Sequence, residues 1–258
     1  MKRNGQRGFT LVEMAIVLVI IGLILGAITI GKDVQRNAEY TKVKQKFIDQ
    51  WVLAYNAHEQ RTGVVVADNQ VAPRLMVNGT NYTGGSGVVS GGNMATVAAQ
   101  PRICRGVLGA QMAGTVQANV SLRDLMQAAG VRMPPGRAEG SEDRYVYLDT
   151  NGNPQEIQVC FGWNPPNLAE GSGNVMIISG LTPDLARALD QMIDGKADSR
   201  EGMFRQQGIL NATNNAPGAP WALDNQNSIA DTGVAVVAGA NLDEQQIANV
   251  VAIYKMNQ

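Results

Sequence analysis

Apolar residues are concentrated at the start of the chain and then become periodic. Residues 9–30 read FTLVEMAIVLVIIGLILGAITI; 17 of these 22 positions are apolar, and the only charge is Glu13. At about 1.5 Å per residue this is a helix of about 33 Å, enough to cross the hydrocarbon core of a bilayer. No proline occurs before Pro73, so the helix is free to run on. Residues 32–62 carry ten charges among 31 positions, a solvated composition. Within them Val34, Ala38, Val43, Phe47, Trp51 and Tyr55 recur mostly every four residues, and Ile48, Val52 and Ala54 widen the stripe. That pattern is an amphipathic helix that buries one face. Thr62-Gly63 supplies its stop. Its C-terminal half is expected to pack under a head domain.

The remainder predicts shorter elements. Residues 63–120 hold ten glycines and four charges, and read as a long surface loop with some helix or strand. Ser121–Ala129 reads as a short helix capped by Ser121 and ended by Gly130. Arg144–Asp149 and Glu156–Phe161 read as strands joined around Asn151-Gly152, a hairpin signal. Val175–Ser179 is a third strand. Thr182-Pro183-Asp184 opens a helix with a cap, a proline in the first turn and an early acid; Leu185, Leu189, Met192 and Ile193 form its apolar face. Residues 211–220 read as a turn-rich connector. Asn241–Asn257 reads as a closing helix, with Asn241 and Glu244 as a capping pair. The expected class is α+β: a long N-terminal helix, first transmembrane and then amphipathic, packed on a small antiparallel sheet in a loop-rich head.

Charge changes the reading of the first segment. Residues 1–8 carry Lys2, Arg3 and Arg7 and no acid. A cleavable secretory signal has a shorter apolar core, followed by a small-residue cleavage site. Here the break precedes the run, at Gly8–Phe9. A carboxylate at membrane depth costs several kcal/mol even on lenient scales; Glu13 reads either as a charge tolerated near the interface, relieved in part by snorkelling, or as a functional group that needs a cation to meet it. A cut after Gly8 creates one, the α-amine of Phe9. Pairing of that amine with Glu13 of a neighbouring subunit would select one register of assembly, a role buried ion pairs can play.

The basic leader, Gly8, Phe9, Thr10-Leu11-Val12-Glu13 and the unbroken apolar run resemble the class III signal of type IV prepilins and pseudopilins. The resemblance covers about residues 5–62, where the stretch Lys46–Gly63 also looks pilin-like, and weakens beyond. It implies cleavage between Gly8 and Phe9 by prepilin peptidase, N-methylation of Phe9, and an assembly role for Phe9 and Glu13. It implies a leader at 1–8, a transmembrane and filament-core helix at 9–30, an amphipathic stalk helix at 31–62 and a globular pilin-like head at 63–258. The expected function is that of a structural subunit of an extracytoplasmic type IV pilus or pilus-like filament. The alternatives are a minor pilin acting in adhesion or DNA binding, and a pseudopilin of a type II secretion system. The implied partners are other pilin subunits, prepilin peptidase, the pilus assembly machinery and the inner membrane. The implied location is the inner membrane, single-pass with the head outside the cytoplasm, and later a filament that is extracellular or periplasmic. Two departures stand out. Ile30 occupies the place where many major pilins carry a helix-kinking proline, leaving Gly22 and Gly26 as the flexible points. Lys32, Arg36, Lys42, Lys44 and Lys46 follow the span, so a positive-inside count is ambiguous, and the orientation rests on the resemblance.

In the oxidising compartment so implied, Cys104 and Cys160 are expected to form a structural disulfide. They lie in no CxxC or zinc spacing. Asp190, Asp194 and Asp198 fall four apart where some secretion pseudopilins bind calcium, and are weak candidates for that ion; no other cofactor or metal is expected. Asp149-x-Asn151-x-Asn153 lacks the glycine and the twelfth-place carboxylate of an EF-hand, and reads as a turn. No enzyme is expected. The only histidine, His58, lies on the charged helix, and no HExxH, GxSxG or SxxK signature sits on a fitting fold. Arg102, Arg105, Arg132, Arg137 and Arg144 read as a solvated scatter rather than a patch. Of 258 residues, 21 are basic and 22 acidic. Loss of the leader leaves 18 against 22, a net −4, which argues against a generic nucleic-acid footprint.

Overall fold

The computed structural model describes residues 11–82, 97, 99–104, 115–150, 152–166, 171–207, 221 and 249–256. The chain divides into two compact units, Met1–Glu39 and Tyr40–Gln258. Helix α1 spans Leu11–Val43, a π-helical turn follows at Lys44–Ile48, and α2 runs from Asp49 to Thr62. In the first unit α1 is apolar and uncovered: Leu11 is 90%, Leu18 69% and Ile30 68% exposed. The second unit begins where burial begins. Tyr40, Val43, Phe47, Trp51 and Tyr55 are all buried, so the expected stripe is real from Tyr40 on, whereas Val34 and Ala38 are exposed. Gly63 closes α2 in the left-handed conformation, φ 75°, and its N–H donates to the Glu59 carbonyl. The π-turn carries an ion pair between Lys44 and Asp49 at 2.9 Å. Residues five apart do not face each other on an α-helix, so this contact belongs to the wider turn.

The stripe packs on a five-stranded sheet. The strands are β1 (Arg144–Leu148), β2 (Pro154–Asn164), β3 (Gly173–Leu181), β4 (Phe204–Gln206) and β5 (Val250–Lys255), in the order β1-β2-β3-β5-β4. All four pairings are antiparallel. The expected hairpin is present, with Arg144 opposite Gln158 and Leu148 opposite Pro154. Asp149 organises its turn: the carboxylate accepts from Asn153 N–H at 2.8 Å and the carbonyl from Gly152 N–H. Asn151 itself lies outside the described residues. Phe47 meets Tyr145 at 5.2 Å, and Trp51 and Tyr55 meet Phe161 at 6.1 and 5.1 Å. Trp51 Nε1 donates to the Glu142 carbonyl at 3.2 Å, which removes the polar cost of burying the indole. The expected α+β class holds, and the architecture is consistent with a pilin-like fold.

Helices α3 (Leu122–Ala128) and α4 (Pro183–Ile193) lie where the pattern put them. Thr182 caps α4 by accepting from Leu185 N–H, whereas Ser121 makes no side-chain cap bond to α3. Two larger expectations also fail. The C-terminal stretch is not helical where it is described: Val250–Lys255 is β5, inserted between β3 and β4. Its apolar residues fit a 3.6-residue period, but Val250, Val251 and Ile253 are β-branched, and the alternation of Val251 and Ile253 with Val250 and Ala252 suits a strand buried on both faces. Residues 241–248 lie outside the described residues. Nor is the 63–120 region simply a surface loop. Val64, Val65, Val66, Met76 and Val77 are buried.

Candidate functional site

Glu13 lies in the first turn of α1, where the helix dipole favours a carboxylate. It is exposed among apolar neighbours, and Leu11, Val12, Ala15, Ile16, Val19 and Ile20 line an adjoining strip. A Cβ added at Gly22, Gly26 or Gly31 would meet nothing within 4 Å, so the described packing of this chain does not require glycine at those places. The helix that begins here is long and apolar enough to cross a membrane, and its most apolar 18-residue window is wholly unburied. An apolar surface of this extent does not persist in water. Gly8 and Phe9, the expected processing residues, lie outside the described residues.

Residues 3–29 match the family model of the prokaryotic N-terminal methylation motif. The match supports a type IV pilin or pseudopilin family. This pilin-type motif supports a substrate of prepilin peptidase, implies pilin subunits and that peptidase as partners in general, and suggests a structural rather than a catalytic protein. With the apolar helix, it fits membrane anchoring before assembly. No curated protein and no solved structure matches the chain.

Within the second unit, Cys104 and Cys160 form a disulfide. Its place explains its use. Residues 101–104, here called the strap together with residues 115–117, pair with the edge of β2 past the point where β1 ends. Ile103 pairs with Phe161 through two backbone bonds of 2.8 and 3.0 Å, and Arg102 bridges to Val116. Cys104 of the strap forms a second small core with Cys160, Val175, Ile177, Val251 and Ile253, and Val116 packs against it. The disulfide thus ties the glycine-rich region to the middle of β2.

Asp190, Asp194 and Asp198 come close in the chain but serve separate backbone groups. Asp190 is fully buried, and its Oδ2 accepts from Asp198 N–H at 2.6 Å and Trp221 Nε1 at 2.7 Å. Asp194 Oδ2 accepts from Met203 and Phe204 N–H at 2.9 and 2.8 Å, which fixes the start of β4. Asp198 Oδ1 accepts from Arg200 and Glu201 N–H. Burial pushes the Asp190 carboxyl up from 3.8 to about 7, against the bonds from Trp221 and Asp198. Asp198 is held below the ordinary range: burial opposes this, but the Arg200 N–H and the Lys196 ammonium outweigh it. Among the described residues no three His, Cys, Asp or Glu side chains converge as a metal site requires.

The arginines do not converge on a described ligand-ready patch. Arg102 is buried and donates to the Trp163 carbonyl at 3.2 Å. Arg137 and Arg144 both pair with Glu156. Arg132 is exposed, and Arg105 lies outside the described residues. His58 is buried on α2, with Thr62 Oγ1 at 3.4 Å from Nδ1, and burial holds its imidazole below the ordinary histidine range. The pattern reading passed over Asp68. Its carboxylate accepts from the N–H groups of Asn69, Arg74, Leu75 and Met76, folding 68–76 back on itself. A lone acid just after the Val64–Ala67 apolar run was the available signal.

Proposed function

We propose that the chain is a structural subunit of an extracytoplasmic type IV pilus or pilus-like filament, cut between Gly8 and Phe9 and assembled through its N-terminal helix. The observation that carries this reading is the methylation motif over residues 3–29 joined to a helix long and apolar enough to cross a membrane. Before processing, the helix sits in the inner membrane as a single span with the head outside the cytoplasm. Cleavage exposes the Phe9 amine, which is then N-methylated. Subunits leave the bilayer as Glu13 neutralises a neighbour's amine and the apolar helices pack against one another. Residues 1–8 are then the leader, 9–30 the filament core, 31–62 the stalk and the rest the head.

Two substitutions test separate steps. Gly8→Glu is expected to block processing, seen on a gel as an unshifted precursor. Glu13→Val is expected to be processed but to form few filaments, counted by electron microscopy of sheared material. Wild-type filament yield with Glu13→Val refutes the assembly role. Mass spectrometry of the sheared filaments then separates a major from a minor subunit.

A further inference from the structure

No charged residue stands between Glu13 and Lys32, and the first three charges past that run are Lys32, Asp33 and Arg36. All three sit on the unbroken helix α1, so their depth follows from its rise. At about 1.5 Å per residue, the Cα of Lys32 lies about 3 Å past Ile30 and that of Arg36 about 9 Å past it. The polar layer on each side of a bilayer is about 5–8 Å thick. Side chains on an α-helix lean toward its N-terminus, which at this end of the span is back toward the hydrocarbon. Lys32 and Arg36 are four residues apart and so share a face. Their stems can lie along apolar surface while the charged heads stay at the level of the lipid phosphates. Lys42, Lys44 and Lys46 begin about 18 Å past Ile30, beyond that layer.

Two cations against one acid leave this trio with a net charge of +1. Lys32 is exposed and forms no ion pair among the described residues. Arg36 donates to Asp33 Oδ1 at 2.9 Å, an exposed pair three residues apart, of the kind that contributes little and is readily exchanged. The filament reading leaves these cations unexplained, since it puts them on the side of the membrane that a positive-inside count disfavours. We propose that Lys32 and Arg36 form a binding surface for anionic phospholipid headgroups in the leaflet at the C-terminal end of the span, and that Asp33 restrains it by engaging Arg36. The Lys32 ammonium meets a lipid phosphate as a point charge, and the Arg36 guanidinium takes one through paired N–H bonds when it leaves Asp33. The inference rests on the bilayer step of the filament reading and adds a lipid class to it.

The test places a photo-crosslinking benzoylphenylalanine at Gln35, which is exposed beside both cations, in the full chain. The chain is reconstituted in vesicles of equal parts phosphatidylglycerol and phosphatidylcholine with the same acyl chains, irradiated, and the lipid adducts are weighed by mass spectrometry. One net positive charge should enrich phosphatidylglycerol about fivefold. Asp33→Asn should raise that enrichment roughly fivefold again, by removing the restraint on Arg36. Lys32→Gln/Arg36→Gln should abolish it, and Lys32→Arg/Arg36→Lys should keep it. Even labelling in the unsubstituted chain, enrichment that survives Lys32→Gln/Arg36→Gln, or no response to Asp33→Asn overturns the proposal. Exchanging chloride for inorganic phosphate at equal ionic strength should leave the enrichment unchanged; its loss would make this a site for free phosphate and overturn the lipid assignment. Insertion is read in the same samples as resistance to alkaline extraction. If the chain is inserted and labelling is even, only the lipid surface falls; if the unsubstituted chain is extracted, the bilayer step of the filament reading falls with it.

Discussion

Removing the disulfide should cost the head a large share of its stability. Cys104 and Cys160 are 56 residues apart, and closing a loop of that size removes about 4 kcal/mol of chain entropy from the unfolded state. Both cysteines are buried, so alanine at each position keeps the small core apolar, and the main change lies in the unfolded chain. The Ile103–Phe161 backbone pair remains to hold the strap in place. Cys104→Ala/Cys160→Ala is therefore expected to keep the native fold but to unfold about 4 kcal/mol more easily. For a domain of this size that corresponds to a melting temperature lower by roughly 8–16 °C. Urea titration of residues 31–258, followed by tryptophan fluorescence, measures both the midpoint and the slope. The slope should rise, because the unlinked unfolded chain exposes more surface. A loss under about 1 kcal/mol with an unchanged slope would refute the entropic account.

Three further outcomes follow from local chemistry. Because the Asp190 carboxyl is pushed from 3.8 to about 7 in the folded chain, the folded state holds a proton that the unfolded state loses between those values. Its contribution is full below about pH 4 and is lost as pH rises through about 7, at most about 4 kcal/mol; Asp190→Asn should flatten this slope in urea titrations at pH 4 to 8. Gly180→Ala should cost at least 1–3 kcal/mol, because φ is +81° there and a Cβ would stand 2.1 Å from the Glu156 carbonyl oxygen; a melting temperature equal to wild type would count against the strain. Trp51→Ala should cost about 3–5 kcal/mol, since it empties a fully buried site between α2 and Phe161 and orphans the Glu142 carbonyl.

The elements that read correctly from sequence are those where one period or one punctuation mark dominates. The stripe from Val43 to Tyr55, the turn around Asn151-Gly152 and the Thr182-Pro183-Asp184 helix start each combine local preference with a single matching environment. The stretch ending at Lys255 failed because its apolar residues satisfy two periods at once; only the vacancy between β3 and β4, a long-range fact, decides for strand. The Asp68 turn was hidden for another reason. Its partners are four backbone N–H groups spread over 69–76, and a backbone donor leaves no trace in residue identity. The two buried faces of β2 were half legible: Val159–Trp163 is a continuous stretch without a polar side chain, but the neighbours on its second face, Cys104 and Val116, are brought there by long-range contacts.

The apolar helix poses a different energetic question from the head. Burying side chains such as Leu11, Leu18 and Ile30 is worth about 1.5–3 kcal/mol each relative to water. Lipid tails and the apolar flanks of neighbouring helices offer nearly the same gain, because acyl chains are as apolar as leucine. The hydrophobic effect therefore keeps residues 11–30 out of water without choosing between bilayer and filament. The choice must come from a group whose free energy differs between the two, and within residues 9–30 the only charged side chain is Glu13. In the bilayer its carboxylate has to be neutralised, or to reach the interface, at a cost of several kcal/mol. On the proposed filament reading, a neighbour's α-amine would offset that cost in one register alone. On this argument an Asp at position 13, with the charge kept but the reach shortened, should assemble less well than Glu and better than Val, and that order is readable in filament counts.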